Sequence, residues 1–196
     1  MLRRVLPPAV AVLAALASAG CADDVSPAAR VGDRTITTDE LLDEVAEWAT
    51  NDRTTRSEEL AATAAPSGYA LGPVGGILQE RIVLEMVDPV FDDLGLELTE
   101  ELRQQTLELL VGDPEQSDAA FEGFSEEYVD RYVDGYAKGL AVQAELGEDA
   151  FVDLLQERAR DVEVNPRYGT WDPEQVTIVP PEGPRPAPGA PEAAAP

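Results

Sequence analysis

Two short strand signals, one on each side of a long helix-rich stretch, constrain this chain's fold more than anything between them. In residues 29–36, Val31 and Arg34 flank Gly32 and Asp33, a glycine-first two-residue loop, so the first signal is a small hairpin. Residues 161–171 alternate Val162 and Val164 as a strand does, stop at Pro166, and pass through Gly169 to Trp171. Between these segments apolar residues recur at helical spacing. A chain laid out in this way can pair its outer strands and hold the intervening helices as one unit.

The first helix follows the hairpin directly. Thr37 and Glu40 form a capping box, and Ile36 and Leu41 stand where a hydrophobic staple closes it. Leu41, Leu42, Val45, Trp48 and Ala49 then share one face. Residues 57–65 suit a short helix ended by Pro66, and 67–76 form an uncharged, glycine-rich stretch. That stretch reads either as a connector whose Tyr69, Leu71 and Val74 cap the core, or as an apolar loop that touches a ligand. A second helix is expected from Ile77 to Leu94, bent or interrupted at Pro89. A third opens at Thr99 with Leu102, Leu109 and Leu110 inward and ends at Gly112. Ser125 caps a fourth that carries Tyr128, Val129, Tyr132, Val133, Tyr136, Leu140, Ala141 and Ala144 at helical spacing. A fifth, from Glu148 to Arg160, buries Phe151, Leu154 and Leu155.

Composition narrows the partners. The 196 residues hold 39 acidic and 14 basic side chains, a net charge of −25. Phosphate binding needs clustered Lys and Arg, so nucleic acid is excluded as a partner. Arg3 and Arg4 precede an apolar stretch from Val5 to Leu16, then small residues and Cys21, the one cysteine. This arrangement resembles a bacterial lipoprotein signal, with Cys21 as the lipid attachment site; ordinary cleavage after Ala19 is the alternative. The apolar run is too short to span a bilayer, and a single cysteine leaves no disulfide framework. The expected organisation is a signal at 1–20, an anchor linker at 21–28, a helical domain at 29–172, and a Pro/Ala-rich disordered tail at 173–196. Seven prolines fall in the 17 residues after Val179. The expected location is extracytoplasmic, on a membrane through the lipid anchor.

No catalytic chemistry stands out. The chain has no histidine, which removes His-based nucleophile activation and His-ligated zinc. The stretch from Gly72 to Gly76 lacks the spacing and ending of a phosphate loop. The acidic pairs Asp23/Asp24, Asp92/Asp93, Glu100/Glu101 and Glu126/Glu127 fit solvent faces better than a glycosidase site. Residues 113–118 lack the ligand alternation of a calcium loop. No enzyme activity, cofactor or metal is expected. The tyrosine row Tyr128, Tyr132 and Tyr136 is either a core face with hydroxyls at its rim or a wall that grips extended apolar peptide.

The run VGDRTITTDEL at 31–41 resembles the opening of the SurA/PrsA-type extracytoplasmic chaperones, where a glycine-turn hairpin leads into the first helix. The stretch from Ile82 through LGLELTEEL at 94–102 is similar to their second helix, link and third-helix start. The segment VEVNPRYGTW at 162–171 looks like their return strand, which pairs back with the first. The resemblance implies a mainly α, SurA/trigger-factor C-terminal-like peptide-binding domain with a small antiparallel β element pairing the N- and C-terminal strands. Many members carry a parvulin prolyl isomerase before the return strand. Here that position, between Gly147 and Val162, holds only a helix. The expected function is a non-catalytic, membrane-anchored chaperone-like protein that transiently binds unfolded or partly folded exported proteins. Its second and fourth helices would line the groove, with Phe91, Tyr128, Tyr132 and Tyr136 in contact. The alternative is an assembly lipoprotein that docks one specific envelope partner.

Overall fold

The computed structural model describes residues 27–51, 71–112 and 121–180. Cys21, the expected helix at 57–65, Tyr69 and the proline-rich residues from 181 onward lie outside them. Strand β1 (Pro27–Val31) runs between β2 (Arg34–Thr37) and β3 (Val162–Val164), antiparallel to both. Val31 faces Arg34 across the turn, and Gly32 takes φ +57, a left-handed value glycine reaches without strain. On its other edge β1 matches Ala29 to Val164 and Val31 to Val162. Asn165 seals this edge: its backbone N–H donates to Ala28 O at 2.9 Å and its Nδ2 to Pro27 O at 3.1 Å. The outer strands therefore pair, as the sequence implies.

Helix α1 (Thr38–Thr50) begins with the expected box. Glu40 N donates to Thr37 Oγ1 at 3.2 Å, and Thr37 N donates to Glu40 Oε2 at 2.8 Å. The backbone bond from Thr37 holds the Glu40 carboxyl below its ordinary range, against the opposing effect of burial. Helix α2 (Leu71–Asp93) starts earlier than expected, so residues 71–76 are its first turns rather than a connector, and Val74 is buried in the core. Pro89 does not interrupt it. Proline removes a single hydrogen bond one turn from the helix end, while Met86, Val87, Val90 and Phe91 are buried on both sides of it.

Helix α3 (Glu100–Val111) is capped by Thr99 and packs on α4 (Glu126–Leu146), which is capped by Ser125. The inward face of α3 differs from the expected one. Thr106 is fully buried, whereas Leu109 is 71% exposed. Leu102, Thr106 and Leu110 repeat at four-residue steps, and Leu109 stands off that stripe. In α4 the fully covered positions include Ala137 and Val142, while Ala144 is exposed. Helix α5 (Glu148–Ala159) packs on α2 and α4.

The folded part continues beyond the boundary expected at 172. Strands β4 (Thr170–Asp172) and β5 (Thr177–Val179) form a second hairpin, so 173–179 is not tail. Asp172 Oδ1 accepts from Glu174 N and Gln175 N at 3.0 and 3.2 Å, which turns the chain. Gly169 is required here: at φ +140, a Cβ would sit 2.5 Å from Val179 O. Gln79 Oε1 on α2 accepts from Thr177 Oγ1 (2.8 Å) and Ile178 N (3.1 Å), fixing the hairpin to that helix.

Two apolar cores result. One joins the three-stranded sheet, α1, the first half of α2, Tyr168 and Ile178. The other gathers Val87, Val90, Phe91 and Val142, with Leu96, Leu98, Phe151 and Leu154 against them. Each fully buried Leu or Ile here contributes about 1.5–3 kcal/mol of transfer free energy. Helix α2 spans both cores, α4 packs along it, and the site lies between the two.

Candidate functional site

Gly135 of α4 receives Leu84 of α2 in close contact, and Gly139, four residues on, leaves open space beside that contact. A groove of about 570 Å³ runs there. The α2 wall comes from Gly76, Gln79, Glu80, Val83, Leu84 and Val87. The α4 wall is Gly135, Tyr136, Gly139, Leu140 and Gln143, and Phe151 of α5 closes one end. Apart from two glutamines and Glu80, these side chains are apolar or aromatic.

The four residues expected to contact a ligand separate into two groups. Phe91 and Tyr128 are only 4% and 2% exposed and belong to the interior, so they are corrected from contacts to core residues. Phe91 packs in the second core beside Val87 and Val142, with Lys138 Nζ 5.6 Å from its ring centre. Tyr128 is held between Phe124 (centroids 4.9 Å apart) and Tyr132 (5.6 Å), both stacked on it. Tyr132 and Tyr136 are half-buried, their rings 4.8 Å apart, and Tyr136 lines the groove. The tyrosine row is thus core at one end and groove wall at the other, because four-residue steps drift about 40° each around α4 and carry the row off the buried stripe of Tyr128, Val133, Ala137 and Val142.

The two outer phenols converge on a residue that the sequence did not single out. Tyr132 and Tyr136 both donate to Oε1 of Glu80, at 3.0 and 2.5 Å. Burial, reinforced by the neighbouring Glu80 charge, pushes the Tyr132 phenol far above its ordinary range, so it remains a donor. Nothing in the sequence distinguishes Glu80 among 39 acids. The Gly135/Gly139 spacing was the available signal, since glycine inside a helix marks close backbone approach or open space.

The opposite side of the same helix pair is charged. Leu84 lies over Gly135 and is shared by the groove and a second hollow of about 310 Å³. There Arg34 bonds Glu85 (2.6 Å) and Asp88 (2.5 Å), and Lys138 also bonds Asp88. Burial raises the Asp88 pKa, but the hydrogen bonds and charges of Lys138 and Arg34 outweigh it and hold the carboxyl below its ordinary value. Arg81 bonds Glu85 at 2.9 Å and reaches Glu44 at 3.5 Å; Arg131 reaches Glu44 at 3.6 Å. Glu44 is 8% exposed, and burial pushes its carboxyl above the ordinary glutamate range despite Arg131 and Arg81. The network ties β2, α1, α2 and α4 together.

The acidic pairs at 92–93, 100–101 and 126–127 are exposed, and the last two occupy first helical turns, where they complement the helix dipole. Among the described residues no three His, Cys, Asp or Glu side chains gather in a way that could hold a metal ion. No described helix is long and apolar enough to cross a membrane. In comparisons with known proteins, no family model, no curated protein and no solved structure matches this chain.

Proposed function

We propose that this chain is a non-catalytic holding protein, exported and anchored through Cys21, whose α2–α4 groove takes apolar segments of unfolded or partly folded exported proteins. The observation that carries the reading is the groove itself. Its volume, about 570 Å³, falls in the range of sites that bury a ligand. Its walls offer aliphatic side chains and one tyrosine face, a surface that grips without demanding a sequence. The pairing of β1 with β3 and the filling of 148–159 by α5 agree with the SurA/PrsA-type layout without an isomerase insert. The acidic surface would keep a protein with bound client in solution.

Light scattering of a thermally unfolded client tests this. The purified chain at a few-fold excess is expected to suppress aggregation. Unchanged scattering at that excess would remove the reading.

A further inference from the structure

The chain leaves its folded part beside the groove. Strand β5 is bonded to Gln79 through Thr177 and Ile178, and the same glutamine lines the groove. Ile178 Cγ2 also lies 3.8 Å from where a Cβ on Gly75 would stand, next to Gly76 of the groove wall. Pro180 follows β5 directly, and 16 further residues come after it in the sequence.

The chemistry of those residues matters as much as their point of departure. Residues 186–191, PAPGAP, hold three prolines and no charge, between Arg185 and Glu192. Proline has no N–H, so such a stretch offers ring faces and carbonyl acceptors but few donors. It favours the extended polyproline II form, which rises about 3.1 Å per residue, so six residues span about 19 Å. The groove follows α2 from Gly76 to Val87, a helical length of about 16 Å. Residues 181–185 supply a tether of about 16 Å in the same extended form, enough to turn back onto a helix that β5 already touches.

The groove offers what this stretch lacks. Val83, Leu84, Leu140 and Phe151 are half-buried and present aliphatic and ring surface. Gln79 Oε1 is taken by β5, which leaves its Nε2 as a donor with no partner among the described residues. The side-chain amide of Gln143 has no partner among them either. Apolar and aromatic walls are how proline-rich segments are recognised, and the two amides add donors for their carbonyls. Glu80 takes no part, since Tyr132 and Tyr136 already engage it.

We propose that residues 186–191 of this same chain lie in the α2–α4 groove, with proline rings on Val83, Leu140 and Phe151 and carbonyls accepting from Gln79 and Gln143. Tethering keeps the segment beside its site at a high effective concentration, so weak contacts suffice. The consequence rests on the holding role above: clients enter the groove by displacing the tail. A groove filled by its own tail about four-fifths of the time binds a client about fivefold more weakly than an open one.

The test uses the full chain with Cys21→Ser and Ala193→Cys, a nitroxide on the introduced thiol, and NMR of amides and methyls. Relaxation enhancement is expected to be strong at Val83, Gly139 and Leu140 and weak at Leu109 on the exposed side of α3. Pro186→Asp combined with Pro188→Asp alters only the tail and should erase that contrast. The same double variant should suppress client aggregation at about fivefold lower concentration. Enhancement with no preference for the groove overturns the inference, while light scattering continues to decide the holding role. A groove contrast that survives in the double variant overturns the assignment to 186–191. Enhancement that passes from spin-labelled to isotope-labelled copies in a mixed sample places the tail in a second copy and overturns docking within one chain. Equal suppression by parent and double variant overturns the displacement. A docked tail in a chain that never suppresses aggregation, with or without the tail substitutions, supports the docking and removes the holding role.

Discussion

Gly135 and Leu84 meet so closely across the α2–α4 contact that a Cβ on residue 135 would lie 2.9 Å from Cδ1 of the leucine and 3.3 Å from its Cγ. The leucine end is mobile enough to give way, but it separates the apolar groove from the charged hollow. Gly135→Ala is expected to leave stability within about 1 kcal/mol of the parent, the helical gain of alanine offsetting the displaced leucine. The shifted leucine narrows the groove, so holding of unfolded client should fall. Urea unfolding and client light scattering, measured on the same preparation, check both halves.

Gly139 gives a cleaner separation. A Cβ there meets nothing within 4 Å, and the residue lines the groove. Gly139→Leu should keep or raise stability by up to about 1 kcal/mol, because glycine is a poor helix former. The new side chain occupies the groove, so aggregation suppression should be lost. A Gly139→Leu protein that still suppresses aggregation would move the site elsewhere on the molecule.

Not all of this was legible in the sequence. The Thr37/Glu40 box, the Ser125 cap and the strand signals within 29–36 and 162–164 are local, and each is where the residues put it, although β1 also takes in Pro27 and Ala28, read from the sequence as linker. Strand β5 was hidden because Thr177, Ile178 and Val179 border a proline run, and its support comes from Gln79, far away in sequence. Leu109 was misplaced because α3 turns an arginine toward α4: Arg103 bonds Asp130 at 2.6 Å and Asp134 at 3.1 Å, which sets the helix's roll. The groove depends on the spacing between two helices. Periodicity identifies which side of a helix is apolar, not whether a neighbour covers it.

Glu44 sets a pH dependence. It faces Arg81 and Glu80 from α2 and Arg131 from α4, and its folded pKa lies above the unfolded value near 4.5. The folded state then binds the proton first, so stability falls as pH rises from about 4.5 through the folded pKa. Glu44→Gln removes that titration and should flatten the profile in the same interval. Urea midpoints at a series of pH values decide it, and superimposable curves for parent and variant would count against a shifted Glu44.

Tyr168 is fully buried in the first core, and its hydroxyl has no hydrogen-bond partner among the described residues. Such a group costs desolvation without return. Tyr168→Phe keeps the ring and is expected to stabilise the protein by about 1 kcal/mol, read as a higher urea midpoint. A lower midpoint would mean that the hydroxyl is bonded.

The bond from Asn165 to Pro27 spans 138 residues of sequence. A ribosome adding about 5–20 residues each second leaves roughly 7–28 s between the appearance of β1 and that of its outer neighbour. During this interval the strand has one bare edge, open to any extended chain in reach. The molecule's own birth is thus the period when it most needs the kind of protection proposed for its clients.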